Sequence, residues 1–155
     1  DLGDLNVFPL EPEKHFSAVI SQCEEVLKLG TYLVLVGGDS SGLKALGAAV
    51  ENVVNLDVPI VSISNNNKLN LSKTQKIILS VDLKDLAGKW VSKPRRLNGL
   101  SPSQIITQIN NIPNKIIAVA IFGLAPELDG RGRTETQVAL NILEAVVKRL
   151  NKGAH

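Results

Sequence analysis

The sequence predicts an α/β domain of three layers, α/β/α, around a mainly parallel sheet. Three observations carry that expectation. Four short apolar runs, 32–36, 59–64, 76–82 and 116–122, alternate with segments of helical periodicity. The fourth run is apolar on successive residues rather than alternate ones, as a strand buried on both faces requires. The first run passes directly into Gly37-Gly38-Asp39-Ser40-Ser41-Gly42 and then into an alanine-rich helical segment. A strand, a glycine turn and a helix start place a side chain and free backbone N–H groups at the carboxyl edge of a sheet, where α/β proteins keep their chemistry.

Taken in order, residues 12–29 read as a helix: Phe16, Val19, Ile20, Cys23, Val26 and Leu27 recur at spacings of three and four, and Gly30 ends the run. Tyr32 to Val36 reads as a buried strand, and Gly42 to about Asn52 as a short helix. Pro59 to Ser64 is a second strand, followed by the turn-forming stretch Asn65-Asn66-Asn67-Lys68. Lys76 to Asp82 is a third, and the interval between the two is too short for an ordinary crossover helix. Ser101-Pro102-Ser103-Gln104 is a capping box with proline at the first helical position, opening a helix through Ile105, Ile106 and Ile109. Ile116 to Phe122 is the most continuously apolar strand and is expected at the sheet's centre. Thr134-Glu135-Thr136-Gln137 is a second capping-box pattern, starting a long helix that stops near Gly153.

Composition bounds the rest. At 155 residues, 44% hydrophobic and 21% charged, the chain suits one domain with a full core. Seventeen basic against 15 acidic residues give a net charge of +2, which argues against nucleic acid as a partner of the domain as a whole. The single cysteine, Cys23, excludes an internal disulfide and a cysteine-based zinc cluster, and fits a cytoplasmic protein. No apolar run approaches the roughly 20 residues of a membrane span, and the amino terminus lacks a signal-peptide pattern. Because the sequence contains no methionine, Asp1 is expected not to be the translational start.

The order of these features resembles the ureohydrolases, the arginase and agmatinase family. The resemblance rests on Asp1-Leu2-Gly3-Asp4, a strand ending in Gly37-Gly38-Asp39, and a strand ending in Ser80-Val81-Asp82. It continues with Gly99-Leu100-Ser101 opening a helix, a strand running into Ala125-Pro126-Glu127-Leu128-Asp129, and a last helix entered through Thr134. It covers nearly the whole chain and implies an arginase-like fold. It also implies two Mn²⁺ ions held by His and Asp, with a bridging hydroxide that attacks a guanidinium carbon. Residue by residue, the ligands are mostly replaced. Ser40 stands where the family has histidine after Gly-Gly-Asp. Residues Ser64 to Lys68 stand where it has Asp-Ala-His-x-Asp. Asp82 is retained, but Lys84 holds the next ligand position, with Asp85 one residue out of register. Gly123 or Leu124 stands at the substrate-binding acid. The only histidines are His15 and His155.

The expectation is therefore a single arginase-like domain over 1–155, lacking family segments upstream and between about 64 and 77, with no metal and no catalytic residues. Its remnant site would be Asp39, Ser40, Asp82, Lys84 and Asp85, with Lys84 either a solvated lysine or a fixed cation beside Asp82 or Asp39. The implied role is a structural or regulatory subunit in a homo-oligomer or a hetero-oligomer with a related chain. Two alternatives stand beside it. One is an active or repurposed guanidino hydrolase, the only case in which manganese is a cofactor. The other is an anion-binding module in which Gly37, Gly38, Ser40 and Ser41 cradle a phosphate or carboxylate. A serine nucleophile at Ser40 or Ser41 would need His15 as its base. Lys89, Lys93, Arg95, Arg96 and Trp90 form a basic loop, with Trp90 an interface anchor. Arg131 and Arg133 fall where the resemblance implies subunit contacts.

Overall fold

A computed structural model of the chain describes residues 3–5, 8, 10–38, 40–63, 75–88, 90–91, 99–124 and 134–152. The elements run α1 (Pro12–Lys28), β1 (Leu33–Val36), α2 (Ser41–Val54), β2 (Ile60–Ser62), β3 (Lys76–Asp82), α3 (Pro102–Asn111), β4 (Lys115–Phe122) and α4 (Thr134–Lys152). A 3₁₀ turn, Leu83–Asp85, follows β3 directly and has no counterpart in the sequence reading. Helix α2 starts one residue earlier and ends two later than its periodicity suggested. Asn55 closes it in the left-handed conformation at φ 55°, an arrangement its short polar side chain tolerates. At α4, Thr134 is itself helical rather than the residue before the first turn.

The four strands form one parallel sheet in the order β1-β4-β3-β2. As its continuous apolar sequence requires, β4 is central. Side chains alternate between two cores. On one face Ile77, Leu79, Val81, Val119 and Ile121 meet Ile105 and Ile109 of α3 and Val138, Ile142 and Val146 of α4. On the other, Ile78, Ala118 and Ala120 meet Val19 and Cys23 of α1 and Ala45, Leu46, Ala49 and Val50 of α2. Each fully buried branched side chain, such as Ile78 or Leu79, contributes roughly 1.5–3 kcal/mol over its exposed form. Between Ile77 and Ile78 the β3–β4 register slips, Ile77 pairing Ile116 and Ile78 pairing Ala118, so Ile117 is the extra residue of a bulge.

The amino edge of the sheet is tied by polar side chains. Asn114, 1% exposed, donates from Nδ2 to the Gln75 carbonyl at 2.9 Å. Arg149 on α4 donates from Nη2 to the carbonyls of Ile112 at 2.8 Å and Asn114 at 3.2 Å. These bonds fix the starts of β3 and β4 against the last helix. The capping box before α3 forms in both directions, Gln104 N–H to Ser101 Oγ and Ser101 N–H to Gln104 Oε1.

Two predictions follow from this packing. Asn114→Ala leaves the Gln75 carbonyl without that donor, so urea unfolding is expected to show a loss of about 1–3 kcal/mol at unchanged denaturant slope. Burial pushes the Cys23 thiol up to about 11. The folded state therefore holds its proton beyond the ordinary thiol range, and stability present in full below an unfolded-state pKa of roughly 8.5 declines as pH rises towards the folded value. Native protein at pH 8 should resist thiol reagents that label the urea-unfolded chain, and a Cys23→Ala variant should lose that part of the alkaline decline.

Candidate functional site

The carboxyl ends of β1, β4 and β3 converge because their registers align there: Val36 pairs with Ile121, and Asp82 with Phe122. Beyond these pairs the backbone turns away through glycine. Gly37 (φ 103°) and Gly38 (φ 69°) end β1, and Gly123 (φ 84°) ends β4, all in the region that favours glycine. The Gly37 N–H donates to Ile121 O at 2.9 Å and the Gly123 N–H donates to Gly38 O at 3.1 Å, stitching the two turns together.

Asp82 is the acid this geometry gathers. It is 8% exposed, and its Oδ1 accepts the Lys84 backbone N–H at 2.9 Å, so the carboxylate caps the 3₁₀ turn. Gly123 faces it closely: a Cβ on Gly123 would lie 2.5 Å from Asp82 Oδ1, 3.2 Å from Lys84 Cγ and 3.4 Å from Lys84 N. The bare α-carbon of Gly123, the Asp82 carboxylate and the stem of Lys84 thus share one spot. Lys84 and Asp85 are half-buried within the turn, and the Asp85 carbonyl accepts the Leu100 N–H at 2.8 Å. Gly99 is held against that carbonyl too tightly for any side chain.

The other expected residues fare differently. Ser40 and Ser41 are exposed at the start of α2, and Ser40 makes no side-chain cap. The Gly37 N–H is spent on strand pairing, which removes one donor from the expected anion cradle. His15 lies in the first turns of α1, its Nδ1 buried without a hydrogen-bond partner among the described residues. Trp90 is half-buried against the α3/α4 core, which gives its ring an internal packing role. Asp39, Ser64 to Lys68, Lys89, Lys93, Arg95, Arg96, Arg131, Arg133 and His155 lie outside the described residues. Among the described residues no three His, Cys, Asp or Glu side chains converge on a point where a metal ion could sit.

Sequence reasoning missed the structural work of Gly123, which it noted only as a replaced acid. A glycine directly after the most apolar strand was the available signal. The same reasoning placed Glu135 in a capping-box pattern without expecting its burial, which leaves it only 2% exposed in the first turn of α4.

No family model matches the sequence, and no curated protein matches it. Solved structures do. Proclavaminate amidino hydrolase from Streptomyces clavuligerus matches with a TM-score of 0.84 at 13% identity, over 97% of this chain and 75% of that one. Formimidoylglutamase from Bacillus subtilis matches at 0.82 with 14% identity, over all of this chain and 73% of its own. A T. brucei arginase-like protein, in a triple mutant bound with Mn²⁺, matches at 0.73 with 15% identity, over 96% and 78%. The chain therefore has the arginase-like α/β fold of the ureohydrolases. At identities of 13 to 15% the likeness is one of fold.

The contact between Gly123 and Asp82 gives a direct prediction. Gly123→Ala forces an L side chain to positive φ, costing about 1–3 kcal/mol, and adds a clash with the carboxylate. In an Asp82→Ala background the clash with the carboxylate is gone, so a double-mutant cycle by thermal or urea unfolding should find the double variant less destabilised than the sum of the two single variants.

Proposed function

We propose that this chain is a ureohydrolase-like subunit without the binuclear manganese site, acting in a structural or regulatory role within an oligomer rather than as a guanidino hydrolase. The observation that carries the reading is the state of Asp82. A metal-ligating carboxylate turns its lone pairs towards the cation and is oriented by outer partners. Here Oδ1 is used to cap the following turn, the lysine that stands in the next ligand position belongs to that turn, and Gly123 brings no donor to the same spot. Two-metal hydrolysis needs ligands enough to hold both ions and the bridging hydroxide. Ser40 and Lys84, at two of the ligand positions, supply neither carboxylate nor imidazole, so the residues present do not fit that group.

The T. brucei arginase-like protein supports the same reading from outside. Its Mn²⁺-bound form carries aspartate, histidine and aspartate in place of serine, arginine and serine. Ser40 and Lys84 here are replacements of comparable chemistry: a hydroxyl and a fixed cation where an ionisable ligand would be needed.

Elemental analysis after incubation with Mn²⁺ and desalting, with light scattering on the same sample, tests the proposal. The expected result is no stoichiometric metal in an oligomer of defined mass, and no urea release from agmatine or arginine. Retention of about two ions per chain, the number the hydrolytic mechanism uses, would overturn it. Lys84→Asp alone is expected not to restore binding, because Ser40 remains.

A further inference from the structure

We draw no further inference here: the strongest candidate, an anion site at the carboxyl edge of the sheet between the amino end of α2 and the half-buried Lys84, rests on a helix N-terminus and one lysine, and nothing among the described residues shows that a ligand is held there.

Discussion

The pairing of β3 with β4 is the constraint on which the rest depends. Both strands are buried on two faces, so each must present apolar side chains upward and downward at once, and a slip of one residue would exchange the two cores. The bulge at Ile117 sets the register: after it Ala118 and Ala120 face α2 while Val119 and Ile121 face α3 and α4. The small Ala118 and Ala120 share a core with Ala45 and Ala49 of α2, and the larger Val119 and Ile121 share the other with α3 and α4. The same register delivers Asp82 beside Phe122, one residue short of Gly123. Site geometry is thus a consequence of core packing.

That chain of causes explains what could be read from the sequence. Strand β4 was legible because eight residues with almost no polar member have one place to go, the middle of a parallel sheet. Helix α3 was legible because its stop and start signals are local: Ser101, Pro102 and Gln104 act on backbone groups within one turn. The 3₁₀ turn was not legible, since it depends on Asp82 being held beside Gly123 by a neighbouring strand from forty residues away in sequence. Nor was the clamp of Arg149 on Ile112 and Asn114, in which a helix late in the chain closes the opposite end of the sheet. Local chemistry reads forward from sequence; contacts made across the sheet do not.

For the site, residue type was informative and residue role was not. Ser40 and Lys84 could be recognised as poor metal ligands, and Gly123 as a replaced substrate-binding acid, from their side chains alone. That Asp82 accepts its own turn's N–H, and that the volume of that carboxylate requires Gly123, follows only from the folded arrangement of β3 and β4. Gly37 carries the same lesson from the other direction. As a member of a glycine turn it offered an N–H to an anion, but the β1–β4 pairing uses that N–H first.

On the proposed reading the pattern of replacements has a physical logic. Acidic ligands packed within a few ångströms are tolerable only while a cation neutralises them; without it each pays for desolvation and repels its neighbours. Once the cation is gone, substitution of the surrounding ligands by Ser, Asn, Lys or Gly relieves that repulsion and carries no structural cost, because the sheet is held by its two apolar cores. Asp82 is the exception that the geometry predicts: it has a second employment, capping Lys84 N–H at a position where the next turn begins. On that reading a ligand that also caps is the one expected to outlast the metal, and the capping role of Asp82 fits it.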